Sequence, residues 1–140
     1  MIRVVLDTNV TVSALLRSGG LPEAVFNLAM ASEIQAYVSD PVLAEYEEVL
    51  RRPRLAIHPD KVTVAVARIR AATMLVLPAA RVTVATDPDD NIFLECAEEA
   101  SAHYLVTGNR RPFPERWRET WLVTPRQFMD GRTGASDEPA

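Results

Sequence analysis

The sequence contains one cysteine, Cys96, so no disulfide can close within it and no cysteine cluster can hold zinc. Its five glycines form neither G-x-G-x-x-G nor G-x-x-x-x-G-K-[ST], which excludes nucleotide binding by those phosphate-cradling loops. No apolar run approaches the ~20 residues of a membrane-spanning helix. Asp7 interrupts the first apolar stretch too early for a signal peptide. Lysine is nearly missing: of 15 basic residues only Lys61 is not arginine.

What is present describes a single globular domain of cytoplasmic type. The 140 residues are 48% apolar and 24% charged, and such a chain buries roughly two-thirds of its unfolded surface without needing a covalent staple. A net charge of −4 argues against a general nucleic-acid coat, which is usually basic. The arginines suit bidentate phosphate contacts better than lysines would, although genomic bias and solvated helix ends account for them equally well. They group at Arg51, Arg52 and Arg54, and again at Arg110, Arg111, Arg116 and Arg118.

Strand and helix signals alternate along the chain. Ile2 to Leu6, Ile34 to Ser39, the stretch MLVLP, His103 to Thr107 and Trp121 to Thr124 read as short apolar strands. NVTVSALL continues from the first strand as a helical turn, and PEAVFNLAMAS follows with Pro22 in its first turn. DPVLAEYEEVLRR has Asp40 as its expected cap and Pro41 at its first position. HPDKVTVAVARIRAATM, DPDDNIFLECAEEASA and PRQFMD are the remaining helical segments. The pattern predicts a three-layer α/β/α sandwich around a mostly parallel sheet. Residues 1–130 form the domain, and the small, polar residues 131–140 are expected to be a disordered tail.

In such folds ligands sit at the carboxyl ends of the strands, which singles out Asp7, Ser39 and Thr107 to Asn109. Asp7 follows a buried strand directly, so its charge needs a compensating partner; the plain alternative is a helix cap. On the second clear helix, Glu45 and Glu47 border the apolar face of Val42, Leu43, Tyr46, Val49 and Leu50. Periodicity does not separate the two, and either is equally an ordinary flanking charge. In DPDD, Asp87 and Asp89 read as caps, whereas Asp90 falls at the edge of the buried face and points towards the strand ends. Carboxylates gathered at one mouth repel each other and invite a cation. Oxygen ligands suit Mg²⁺ or Mn²⁺, which activate water and stabilise phosphoryl displacement. His58 and His103 are not needed for this, and Cys96 falls on an inward helix face as core.

The strings VVLDTNVTVSALL, SDPVLAEYEEVLRRPRL, DPDDNIFLECAEEASAHYLVTGN and VTPRQFM, in this order, resemble the PIN-domain proteins, in particular the VapC-like toxins of bacterial toxin–antitoxin pairs. The resemblance implies an acidic site binding Mg²⁺ or Mn²⁺, endoribonuclease activity, a cognate antitoxin protein and a homodimer. Its acids fall on Asp7, with Thr8 and Asn9 completing the motif, on Glu45 and on Asp90. A further family acid is Asn109 in this chain, an amide that can orient water but brings no charge. Thr107 and Ser39 are expected as supporting contacts at the same mouth. The arginines from Arg51 to Arg54 or from Arg110 to Arg118, with Arg51, Arg52, Arg110 and Arg111 foremost, are read as a path that leads RNA to it. Two other readings compete. One is an inactive PIN scaffold that binds RNA or a partner protein, which Asn109 supports. The other is an aspartate-nucleophile phosphatase, disfavoured because its second Asp would stand where Asn9 does.

Overall fold

The computed structural model describes residues 1–133. Five parallel strands and one antiparallel strand form a sheet of order β3-β2-β1-β4-β6-β5. They are β1 (Arg3–Leu6), β2 (Gln35–Val38), β3 (Thr73–Leu75), β4 (Tyr104–Val106), β5 (Arg116–Trp117) and β6 (Thr120–Val123). The helices are α1 (Thr8–Leu16), α2 (Leu21–Met30), α3 (Asp40–Leu50), α4 (Pro59–Ala72), α5 (Asn91–Ala100) and α6 (Pro125–Thr133).

Burial explains the central position of β1 and β4. Val4, Val5, Leu105 and Val106 are fully buried, and strands covered on both faces must be apolar throughout rather than alternating. The chain steps from β1 to β2 to β3 in one direction, then returns past them to β4. With right-handed crossovers, that reversal sends the connecting helices to opposite faces. Accordingly α5 packs on β1, β2 and β4, while α6 packs on β4 and β6 and meets α2. The point of reversal, between β1 and β4, is where an open parallel sheet leaves a crevice.

Several boundaries differ from the sequence expectation for local reasons. Ser39, not Asp40, caps α3, its hydroxyl accepting from Val42 N–H at 3.3 Å. Asp87 caps a short 3-10 turn, Pro88–Asp90, so α5 starts only at Asn91. The expected MLVLP strand is instead Thr73–Leu75, running straight out of α4. β5 was not anticipated, because two residues before a turn carry no periodicity; it forms a hairpin with β6 through Arg118 at φ 55. Of the expected tail, residues 131–133 continue α6, and 134–140 lie outside the described residues.

Residues 76–87 contain no helix or strand. Side chains of α5 and its first turn hold them: Glu99 accepts from Ala79 N–H (3.1 Å), Glu95 from Val82 N–H (3.0 Å) and Asn91 from Ala85 N–H (2.9 Å). These α5 side chains therefore satisfy amides that no backbone carbonyl reaches, while Val76 N–H and Thr86 N–H donate to Val38 O (2.8 Å) and Pro112 O (2.7 Å). At the other end of α5 the backbone closes as a Schellman turn, with Ala102 N–H on Ala97 O (3.0 Å) and Ser101 N–H on Glu98 O (3.1 Å).

Ser101 adopts the left-handed conformation (φ 48, ψ 47) in that turn, which costs a side-chain-bearing residue about 1 kcal/mol relative to glycine. Ser101→Gly is therefore expected to stabilise the fold by roughly that amount, read as a higher urea midpoint with unchanged slope. An unchanged or lower midpoint would contradict it.

Candidate active site

The end of β1 sets the site. Asp7 N–H donates to Val106 O at 2.9 Å, which carries the ladder one residue beyond the strands. The side chain lies at the N-terminus of α1 and is 6% exposed. Its Oδ1 accepts from Thr8 N–H (2.7 Å) and its Oδ2 from the Thr107 hydroxyl (2.7 Å). Thr107 in turn accepts from Asn109 N–H at 3.0 Å. The cap expected of Asp7 is thus observed, on a residue that also ends the central strand. Burial raises the Asp7 pKa, and the Thr107 and Thr8 hydrogen bonds oppose that rise.

Asn9 fastens the neighbouring loop. Its Oδ1 accepts from Gly108 N–H at 2.9 Å, and a Cβ on Gly108 would approach that oxygen to 3.3 Å. Glycine there permits the close contact between α1 and the loop after β4. Below the site, Tyr46 donates to Leu6 O, which ties α3 to the end of β1.

A cleft of about 380 Å³ opens above Asp7 and is lined by Thr8, Asn9, Asp87, Asp90, Asn109 and Arg54 among others. Asp90 is half-buried and makes no capping bond despite its place before α5. Its pKa is pushed up to about 6, first by burial and then by the charges of Asp7, Asp87, Glu45 and Asp89. Glu45 is half-buried. Its pKa is raised by burial and then by Glu48, lowered by Arg52, and raised again by Asp7 and Asp89. Glu47, the alternative on the helix border, pairs instead with Arg51 at 3.0 Å. Asp7 and Asp90 thus line one cleft, whereas Glu45 is not part of its lining and reaches them only through charge.

These acids do not close around a common point. Among the described residues, no three His, Cys, Asp or Glu side chains are grouped closely enough to grip one ion directly. The donor chemistry nonetheless fits a hard cation that retains its waters: all donors are oxygens, and Mg²⁺ commonly takes only one or two carboxylates. A buried orphan adds to the fit. Thr8 is 7% exposed and lines the cleft, and its hydroxyl has no hydrogen-bond partner among the described residues. A buried hydroxyl ordinarily finds a partner, such as an ordered water or a ligand.

The other expected residues divide. Asn109 lines the cleft, with its Oδ1 accepting from Arg111 N–H at 3.3 Å. Ser39 is spent on capping α3 and is not part of the lining. Arg51 and Arg52 pair with Glu47 and Glu48 on α3. Arg110 donates to Gln127 at 3.2 Å, beside a separate depression next to α6. None of Arg51, Arg52, Arg110 and Arg111 lines the cleft; Arg54 does. Sequence reasoning also missed the apolar lining, Val12, Val49, Leu55 and Pro112, because half-buried aliphatic residues look the same whether they face core or cleft. His58 caps α4 and His103 accepts from Arg3 N–H. Cys96 is fully buried, with its thiol pushed up to about 12 chiefly by burial, too high for a nucleophile at neutral pH.

The fold and this acidic cleft define a PIN domain. Residues 3–111 match the PIN domain family, and the chain belongs to it. The chain is also 29% identical to an uncharacterized protein, MJ1680, of Methanocaldococcus jannaschii, over 92% of this chain and 90% of that one. In structure it is similar to the PIN domain of T. brucei RRP44, with a TM-score of 0.52 at 12% identity, covering 96% of this chain and 83% of the other. PIN domains are in general nucleases that act on RNA with divalent metal ions.

Asp90 binds its proton more tightly folded than unfolded, so without metal its contribution to stability declines as pH rises from 3.8 to about 6. Asp90→Asn is therefore expected to stabilise the metal-free protein at pH 7 and to be neutral below the ordinary carboxylate pKa. Urea titrations at the two pH values check this; an equal effect at both would contradict the raised pKa.

Proposed function

We propose that this protein is a metal-dependent endoribonuclease that hydrolyses RNA phosphodiester bonds, leaving a 5′-phosphate and a 3′-hydroxyl. The observation that supports the reading is the cleft at the sheet reversal, in which Asp7 and Asp90 stand together with Asn109, while Glu45, outside the lining, is near enough for its charge to raise the pKa of Asp90. Carboxylates that disfavour one another's charge are relieved by a divalent cation. Asp7, Glu45 and Asp90 would hold Mg²⁺ or Mn²⁺, which when bound supplies Lewis acidity and a water of lowered pKa.

The remaining work falls to the chain. Thr107 and Thr8 N–H keep the Asp7 oxygens oriented, so the carboxylate meets its load without reorganising. The Thr8 hydroxyl, without a hydrogen-bond partner among the described residues, and the Asn109 amide both line the cleft and would hold a water or a phosphate oxygen at its mouth. Asn9 keeps the 108–109 loop docked by accepting from Gly108.

The biological setting we propose is that of a toxin paired with a cognate antitoxin, acting as a homodimer in the cytoplasm. Four family-like strings in toxin order support it. Co-purification with the product of a neighbouring reading frame tests the pairing, and a chain that expresses freely without harm to growth would count against it. A second reading, an inactive scaffold that binds RNA or protein, is favoured by Asn109 and by the open spacing of the acids.

Two measurements separate these readings. Asp7→Asn is expected to lower kcat on a mixed RNA pool by at least ~100-fold, as loss of a metal-holding group does; undiminished cleavage would remove Asp7 from the mechanism. Mg²⁺ or Mn²⁺ is expected to raise the Tm of the wild type at neutral pH and to raise that of Asp90→Asn less. An equal rise in both, or none, would favour the scaffold.

A further inference from the structure

Arg54 differs from the arginines around it. Arg51 is bonded to Glu47 (3.0 Å) and Thr63 (3.2 Å), and Arg52 to Glu48 (3.2 Å). Arg54 has no hydrogen bond or ion pair among the described residues, yet it is the sole basic side chain lining the acidic cleft. Its place there is set by the backbone. Residues Pro53–Leu55 form a 3-10 turn between α3 and α4, closed by Leu55 N–H on Arg52 O and Ala56 N–H on Pro53 O, both 3.0 Å. Ala56 then takes a left-handed conformation, φ 54, and turns the chain towards α4.

The same cleft has two chemically distinct linings. Asp7, Asp87 and Asp90 supply anions, whereas Val12, Val49 and Leu55 supply aliphatic surface that is only partly covered. A polyanion entering among three carboxylates needs a cation of its own besides any that the acids hold. A nucleobase leaving water needs apolar surface. Both are present beside the 3-10 turn.

We propose that Arg54 is a substrate-positioning residue: it clamps the phosphate next to the scissile one, with the attached base resting on Val12, Val49 and Leu55. The proposal rests on the ribonuclease reading. A guanidinium meets a phosphate through two parallel N–H donors. The cleft has no aromatic residue in its lining, so the base is held by aliphatic contact, which discriminates weakly between bases. In a duplex the bases are stacked away from such a wall, so the seat takes an unpaired nucleotide.

Anisotropy of a fluorescein-labelled oligouridylate, measured across a salt series with Ca²⁺ present, tests this. Arg54→Ala is expected to bind about tenfold more weakly, the loss typical of one charged hydrogen-bonded contact. Its slope of log affinity against log salt is expected to fall by about 0.7, the share of one phosphate on a single strand. Arg54→Lys should restore the slope but only part of the affinity, and Arg70→Ala, on the exposed side of α4, should match the wild type. In cleavage assays Arg54→Ala should raise KM more than it lowers kcat. Affinity and salt slope unchanged in Arg54→Ala, with a wild type that binds and cleaves, overturn the role of Arg54 alone. A wild type that neither binds nor cleaves RNA overturns the ribonuclease reading and this role together.

Discussion

An ionisable carboxylate at the end of a buried strand is the constraint around which this structure is organised. Asp7 is forced into the interior by its neighbours, since Val4, Val5 and Leu6 all bury beside β4. Stripping water from a carboxylate costs several kcal/mol unless donors replace it. Here the replacements come from two places far apart in sequence, Thr8 N–H and the Thr107 hydroxyl. The second is available only because β4 lies next to β1 in register, Leu6 opposite Val106.

That dependence explains why the surrounding contacts are so interlocked. Asn9 holds Gly108, Thr107 holds Asn109 N–H, and Tyr46 bonds the last carbonyl of β1. Each fastens a separate element to the same strand end. The acids on α3 and before α5 then stand over a rigid floor, and their repulsion cannot relax by moving Asp7 aside. Their raised pKa values follow first from burial and then from the charges of neighbouring acids. A divalent cation is the economical answer to such a cluster, and the PIN family has adopted it widely.

The arginines show how context decides the use of a side chain. Arg51 and Arg52, one turn beyond glutamates, are drawn into i,i+4 pairs on α3. Arg54 escapes because α3 ends at Leu50, and the residue four places before Arg54 is that leucine rather than a glutamate. The change from helix to 3-10 turn therefore separates a structural arginine from one facing the cleft. The outward glutamates of α5 show the reverse case. They look like a solvated face, and they prove to anchor the irregular segment 76–87.

Local chemistry was enough to read the strand and helix order apart from β5, the Asp7 strand end and the core role of Cys96, because periodicity and proline placement act over a few residues. The pattern of alternating elements was enough for the parallel sheet as well. It could not separate Glu45 from Glu47, since both border the same apolar stripe; Arg51 lies four residues after Glu47 and takes it out of contention. Nor could it foresee the Thr107 bond to Asp7, the apolar wall of the cleft or the place of Arg54. Those depend on which strands become neighbours and which helix faces are left uncovered. Such facts are set by long-range packing, and no short window of residues contains them.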